Sequence, residues 1–432
     1  MVIEIGPIFG FFFTTLATWW WVFPPFLLYK KTLVWWLWWR QDIYSSKQES
    51  IMLEIRMPSE VEKPFRAMEN VFSSLIQMHD PPDFKEKWFE GKSQWRLAIE
   101  IVSFEGSIHF YLRIRKPLRK FIESAIYSQY PNAEIFDAED YAKKMPSTLP
   151  NKEWEIWGTA LKLGKPDIFS IKTYSQFFEE SVQTKEEKRI DPMSALMEGL
   201  ATIGQGEQLW MQILIKPPED ASPLPDVAKE YADKMYAEKK AGKKKKGATF
   251  FDDTGSVMRH LLTGQAPEQA KESSEKFSLI MLSPQEDQEL KAIAEKSSKP
   301  VFHTSIRFLY AAKRENYFGP AKAIPLSYFR QFATENLNTL KPLMSTFTKS
   351  STVATWYKDE RITYLKKRRL FRNYVLRVPP LFPHSNDGVF FLNIEELATI
   401  FHFMGQSVLD SAMSVPRVES KKSPPPSNLP IE

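Results

Sequence analysis

The stretch of sequence that decides the fold reads RLAIEIVSFEGSIHFYLRI, from Arg96 to Ile114. Both ends of this stretch are rich in β-branched and aromatic residues, which favour strands. Glu105-Gly106 between them is a turn signal, because glycine readily adopts the backbone angles that a tight hairpin requires. The pattern therefore predicts two antiparallel strands, 96–104 and 108–114, joined by a short turn.

Further strands and helices flank this hairpin in an ordered way. Before it, residues 51–57 alternate like a strand, and apolar residues recur at helical spacing over 65–76. After it, a helical pattern covers 118–130 and a last strand begins at Ala133. The resulting order, β-α-β-β-α-β, is that of a ferredoxin-like sandwich. The sequence thus predicts an α+β fold whose first domain spans residues 51–145.

A second α+β domain is predicted for residues 150–410, where the pattern is looser. Its clearest strands are Trp154–Leu163, Leu209–Ile215 and Phe302–Tyr310, and helical patterns lie between them.

Two polar segments accompany this second domain. Residues 240–275 begin with a lysine run and have little apolar sequence, so we expect a mobile basic insertion there. Residues 411–432 end in the proline-rich stretch PPPSNLP, which predicts an extended tail.

The segment 1–40 is apolar and rich in tryptophan. No charge interrupts Gly6 to Leu28, and as a helix this run is roughly 34 Å long, enough for a hydrocarbon core of about 30 Å. The sequence predicts a transmembrane helix, an interfacial tryptophan segment up to Arg40, and a polar tether at 41–50. A helix lying flat in the interface is the alternative. A signal peptide fits less well, because no basic residue precedes the run.

Charge placement predicts how such an anchor is oriented. Lys30, Lys31 and Arg40 follow the apolar run, so the positive-inside rule puts the N-terminus outside and the remaining domains in the cytoplasm. The predicted localisation is therefore the cell membrane, with a single pass and with membrane lipid as a partner. The anchor residues are Trp19, Trp20, Trp21, Lys30, Lys31, Trp35, Trp36, Trp38, Trp39 and Arg40.

Motifs that carry enzymatic chemistry do not stand out. The chain has no cysteine, which excludes disulfides, thiolate metal sites and cysteine nucleophiles. The histidines are far apart and lack metal-ligand spacing. Around Gly242–Thr249, a phosphate-binding loop would need lysine where Ala248 stands. We therefore expect no catalytic residue, no cofactor and no metal, and a protein that is not an enzyme.

Two basic runs are candidate contacts for an anionic partner, although either is also compatible with a solvated surface. Net charge is only +5, and the strands lack the aromatic signature of base-stacking RNA modules. Nucleic-acid binding is thus the alternative function. The contact residues would be Lys243, Lys244, Lys245, Lys246, Lys366, Lys367, Arg368 and Arg369, with the second run continuing to Arg372.

Several stretches of the sequence have a recognisable residue pattern, among them 53–58, 108–111, 128–135, 392–403 and 417–422. They resemble a bacterial membrane-anchored region of unknown function that precedes the motor domain of type IV secretion and conjugation-like ATPases. The resemblance covers roughly residues 45–432 and implies the membrane-proximal half of a secretion machine, here without a Walker motif. The expected function is a non-enzymatic scaffold or accessory subunit that docks a protein partner, such as a DNA-translocating P-loop ATPase supplied in trans. Oligomerisation is left open.

Overall fold

The computed structural model describes residues 14, 18–19, 23–57, 64–177, 191–220, 222–247, 283–334, 336–348, 358–382 and 385–404. In this part of the chain the fold is α+β, with one large antiparallel sheet of nine strands. The strands are β1 (Ser50–Arg56), β2 (Leu97–Phe104), β3 (Ser107–Arg115), β4 (Glu134–Ala138), β5 (Trp154–Leu163), β6 (Glu207–Lys216), β7 (Val301–Lys313), β8 (Leu340–Pro342) and β9 (Phe390–Asn393).

Ten α-helices accompany the sheet in the described residues. They are α1 (Phe23–Ser46), α2 (Pro64–Leu75), α3 (Arg119–Tyr127), α4 (Tyr174–Phe177), α5 (Ser194–Ala201), α6 (Leu224–Gly247), α7 (Pro284–Ser298), α8 (Ala323–Arg330), α9 (Asp359–Leu376) and α10 (Ile394–Ile400). A π-helical turn at Glu86–Glu90 completes the elements used below. The start of α10 has a capping box, in which Asn393 and Glu396 satisfy each other's backbone N–H groups.

The first half of the sheet has the strand order β4-β1-β3-β2. Strands β2 and β3 form the hairpin, with Phe104 opposite Ser107. Its turn residues Glu105 and Gly106 have φ angles of 51° and 88°, the left-handed region that glycine adopts without steric cost. Helices α2 and α3 connect β1 to β2 and β3 to β4.

The second half has the order β6-β7-β5-β8. Since β5, β6, β7 and β8 correspond in chain order to β1, β2, β3 and β4, this is the arrangement of the first half read from the opposite edge of the sheet. Its connections also correspond, with α5 between β5 and β6, α8 between β7 and β8, and α6 and α7 inserted between β6 and β7. Two β-α-β-β-α-β units therefore contribute to one sheet. The antiparallel pairing of β2 with β6, from Leu97 opposite Ile215 to Phe104 opposite Gln208, joins them across an approximate twofold axis.

Helices cover both faces of this sheet. The first face carries the main core, in which α2, α3, α5, α8 and α10 pack on residues such as Ile99 and Ile101. Alternation along β2 turns Glu100 and Val102 to the second face. That face is covered by α9 and by the segment from Tyr141 to Leu149. Thus α9 lies over the junction between the two halves.

The predicted transmembrane helix is wrong. Among the described residues, no helix has the length and apolar character needed to cross a membrane, so the single-pass membrane localisation is corrected as well. Helix α1 is one continuous element that contains Lys30, Lys31, Arg40 and Asp42, where the sequence predicted the end of a span followed by an interfacial segment. Within α1, charges at these spacings leave no uninterrupted apolar window of the length that a span requires. Much of the apolar run 6–28 lies outside the described residues.

Two other predicted segments differ in their local structure. The tether at 41–50 is helical up to Ser46 and then enters β1. The basic insertion begins as helix, because α6 continues to Gly247. Residues 248–275 of that insertion and the predicted tail at 411–432 lie outside the described residues.

Candidate functional site

Helix α1 is held to the fold through the π-helical turn. The indole Nε1 of Trp36 donates a hydrogen bond to the carbonyl oxygen of Trp88 at 3.0 Å, and the guanidinium of Arg40 donates to the carbonyl oxygen of Phe89. Gly91 makes this approach possible, since a Cβ at this position would clash with the carbonyl oxygen of Arg40. Its φ of +79° is also one that glycine favours.

Large aromatic side chains remain exposed on these two elements. Trp35 is 68% exposed and Trp39 is 49% exposed. Phe84, just before the π-helical turn, is 75% exposed, and Phe89 within that turn is 60% exposed. We call Trp35, Trp36, Trp39, Phe84 and Phe89 the aromatic surface. Single exposed apolar residues are common, but aromatic side chains gathered on two packed elements are typical of binding surfaces.

The other predicted anchor residues have varied positions. Trp19, Lys30 and Lys31 are exposed, Trp38 is half-buried, and Trp20 and Trp21 lie outside the described residues.

The second basic run lies on α9, and the helix distributes its cations over different faces. Lys367 Nζ pairs with Glu155 at 2.7 Å, and Lys366 Nζ donates to the carbonyl oxygen of Met344 at 3.3 Å. Arg368 and Arg369 are exposed. The predicted contacts are therefore divided, with the lysines bonded to other segments of the fold and the arginines facing outwards. For Lys243–Lys246, the structure describes the helical backbone of α6 but not the side chains.

A cleft of about 390 Å³ lies between α9 and the segment that precedes β5. Three arginines from two successive helical turns and two hydroxyl side chains supply its polar groups. Its walls are Ser147, Thr148, Leu149, Leu365, Arg368, Arg369, Phe371 and Arg372. We call this the arginine cleft, and its chemistry suits an anion that accepts several hydrogen bonds.

The inner side of α9 is fixed by a buried ionic network. Arg377, which ends the helix, has its Nε 3.0 Å from Glu100 Oε1 and its Nη2 2.8 Å from Asp140 Oδ1. Burial alone would lower the pKa of Arg377, but the two carboxylates outweigh it and the pKa is raised. Burial raises the pKa of Asp140, but its contacts with Arg377 reverse the direction, so this pKa is lowered. The two contacts of Arg377 thus hold the end of α9 to β2 and to the segment after β4.

Further side chains extend this network across the junction of the two halves. Gln212 of β6 donates to Glu100 at 2.5 Å and accepts from Arg307 Nε of β7 at 2.7 Å. Tyr141 donates to Glu100 at 2.7 Å, and its hydroxyl lies 2.9 Å from that of Tyr374 on α9. Burial lowers the pKa of Arg307 to about 9. Strands from both halves thereby contact one helix through directional bonds.

A separate buried pair joins α10 to the start of α5. His402 Nε2 lies 3.0 Å from both carboxylate oxygens of Asp191, and its Nδ1 is 3.0 Å from the carbonyl oxygen of Ala398. Burial raises the pKa of Asp191, but the nearby His402 offsets this effect and the pKa is lowered. Phe65 packs on the imidazole with ring centroids 4.1 Å apart. This histidine is fully enclosed, so its role here is to join two core elements.

No group of three or more His, Asp or Glu side chains in the described ranges is positioned to hold a metal ion. The positions that sequence reasoning missed are Ser147 and Thr148 of the cleft wall together with the network beneath it. Arg372 was visible as the end of a basic run, but the hydroxyls are far from α9 in the sequence.

Comparison with known families identifies the chain at the level of a domain family. A family model described as a domain of unknown function (DUF8128) matches residues 40–338. Because this match covers more than half of the chain, the protein belongs to that family. The matched residues include most of both sheet halves, whereas α9 follows them. No curated protein matches the chain.

Proposed function

We propose that the protein is a binding subunit, without catalysis of its own, that docks a partner protein through the aromatic surface. The observation that carries this proposal is the exposure of Trp35, Trp39, Phe84 and Phe89 on two elements that are fixed to each other. Tryptophan and phenylalanine supply much of the binding energy of protein interfaces when they enter a complementary pocket.

The character of α1 indicates what kind of partner fits. Its exposed apolar residues, including Leu28, Val34 and Trp35, are not confined to the side that meets the π-helical turn. A helix that is apolar on several sides is normally enclosed by other elements. An apolar groove that receives α1 as a helix would provide that enclosure.

Charge argues for a different protein rather than a second copy. Helix α1 carries Lys30, Lys31 and Arg40 against one acid, Asp42. Pairing two such helices would bring like charges together, which is unfavourable. The occupant that fits is therefore an apolar groove bordered by acidic side chains. The resemblance described above makes a P-loop ATPase of the secretion or DNA-translocating class the first partner to test.

Site-specific photo-crosslinking tests this proposal in the full-length chain at native expression level. A photoreactive phenylalanine analogue replaces Trp35, and the matched control places it at Phe318, which is 56% exposed on the loop before α8. We expect a cross-link to a P-loop ATPase from position 35 and none from position 318. Products that contain only a second copy of this chain, or identical products from both positions, would contradict the proposal.

A further inference from the structure

We propose that the outer side of α9 and the arginine cleft bind the phosphodiester backbone of single-stranded nucleic acid. This binding site is separate from the aromatic surface and does not depend on it. We call the exposed side of α9 the arginine face, which consists of Arg361, Tyr364, Leu365, Arg368, Arg369 and Arg372.

The first argument is that, among the described residues, none of these guanidinium groups forms an ion pair. Within the described part of the chain, Arg361 and Arg369 make no hydrogen bond or ion pair through their side chains. Arg368 lies over the ring of Tyr364 at 5.8 Å, and Arg372 donates two long hydrogen bonds of 3.4 Å, from Nε and Nη2, to Asn373 Oδ1. Paired arginines contribute to stability, whereas unpaired ones on a single face are free to bind phosphate.

Acidic residues are absent from the part of α9 that forms this face. The only acids of the helix are Asp359 and Glu360 in its first turn, where they complement the helix dipole. From Arg361 to Leu376 the helix has cations and no acid. Beyond its first turn, the helix therefore carries no acid of its own to offset the positive charge on its exposed side.

The length of the face indicates a polymer. At about 1.5 Å per residue, Arg361 and Arg372 are separated by roughly 16 Å along the helix axis. That distance is too long for a single phosphate group and extends along several consecutive phosphates of a strand. One phosphate group would engage only the cleft, whereas a strand can also reach Arg361.

The cleft favours an unpaired strand. Ser147 and Thr148 add hydroxyl donors to the arginines of the cleft. The cleft volume of about 390 Å³ can accommodate a base that is not stacked on its neighbours. Tyr364 is 42% exposed beside Arg368 and offers a ring on which a base can stack. Bases of a duplex are already paired and stacked, so they cannot use either feature.

Rigid support distinguishes this face from a solvated lysine run. The opposite side of α9 is buried through Leu370, Phe371 and Tyr374, and Arg377 holds its end to Glu100. Arginines presented from a fixed helix lose less conformational freedom on binding than side chains on an unsupported segment.

Fluorescence anisotropy with a labelled oligothymidine and the full-length protein tests the inference. The variant Arg368→Gln/Arg369→Gln/Arg372→Gln should bind at least tenfold more weakly. The slope of log affinity against log salt should fall by about 2, since each lost phosphate contact contributes about 0.7 for a single strand. Thermal unfolding checks that the variant is folded, which is expected because all three side chains are exposed.

The matched control is Lys120→Gln/Lys229→Gln/Arg330→Gln, which removes the same charge from exposed positions on α3, α6 and α8. Its affinity for oligothymidine should be within twofold of that of the unaltered protein. Equal losses in both triple variants would overturn the inference, as would no binding of oligothymidine at low salt. Competition by inorganic phosphate or a mononucleotide at the same concentration as unlabelled oligothymidine would also overturn it, because the site would then take a small anion and not a strand.

Discussion

Arg377 and Glu100 are 277 positions apart in the chain, yet Arg377 Nε lies 3.0 Å from Glu100 Oε1 at the centre of the fold. Arg377 adopts a left-handed conformation, with a φ of 52°, at the end of α9. Glu100 lies on β2 beside the junction with β6. This contact therefore holds α9, which lines the arginine cleft, against the junction between the two halves.

Replacing Glu100 should destabilise the whole fold. Glu100→Gln leaves Arg377 buried with one carboxylate fewer, and breaking a buried ion pair in this way costs about 3 kcal/mol. Urea unfolding followed by far-UV circular dichroism measures the change in the free energy of unfolding. The control is Glu315→Gln, an exposed glutamate after β7, which should change stability by less than about 0.5 kcal/mol. Equal effects of the two substitutions would mean that the network contributes no stability.

Gly91 offers a test of how α1 is attached. Gly91→Ala combines a positive φ with a clash against the backbone of Arg40, so α1 should separate from the π-helical turn at a cost of about 1–3 kcal/mol. Hydrogen exchange should accelerate in residues 34–46 while the sheet stays protected.

Gly319→Ala is the matched control for that substitution. A Cβ at Gly319 meets no atom within 4 Å, and this residue does not have a positive φ. In the Gly319→Ala variant, we expect the hydrogen exchange of residues 34–46 to be unchanged. If Gly91→Ala left the exchange of 34–46 as slow as in the unaltered protein, the proposed attachment of α1 would be wrong.

Stability should depend on pH through Glu219. This carboxylate lies 2.6 Å from Lys216 and 3.0 Å from Lys87. Burial raises its pKa, but the two ammonium groups outweigh this effect and lower it to about 2 from an unfolded value of 4.5. Since the folded pKa is the lower one, its contribution is complete above pH 4.5 and is lost as pH falls towards 2.

Glu219→Gln should therefore be less stable at pH 7, by on the order of 2 kcal/mol, and the difference should vanish near pH 2. Chemical denaturation at pH 7, 4 and 2.5 measures this convergence. The exposed Glu134→Gln is the comparison and should show a small difference at every pH. A constant deficit for Glu219→Gln across this range would indicate a packing effect instead of an ionic one.

Sequence reasoning succeeds here where the decisive partners are neighbours in the chain. The hairpin around Glu105-Gly106 depends on residues within a few positions of each other. The pairing of β2 with β6 brings together residues that are far apart in the chain. An apolar run predicts a strand, but it does not indicate which other strand will pair with it.

The incorrect predictions from the sequence also have physical causes. Composition identified the apolar start of the chain, but it did not anticipate a continuous α1 in which Lys30 and Lys31 lie among the tryptophans. The run of cations from Lys366 was visible, yet helical geometry divides it, so that Lys367 meets Glu155 and Arg369 faces outwards. The hydroxyls that complete the cleft come from a distant loop, which sequence spacing cannot indicate.

The shared sheet leads to a last prediction about the first half alone. A fragment of residues 50–145 would have β2 as an edge, and seven of its eight residues are buried in the intact fold. Unpaired, apolar edges associate with one another. Analytical ultracentrifugation of this fragment should show concentration-dependent dimers or larger species. A peptide of residues 207–216 should restore the monomer by pairing as β6 does, whereas the same peptide with Met211→Pro and Ile213→Pro should not, since proline cannot donate the backbone hydrogen bonds. A monomeric fragment without any peptide would show that the junction is not needed to protect β2.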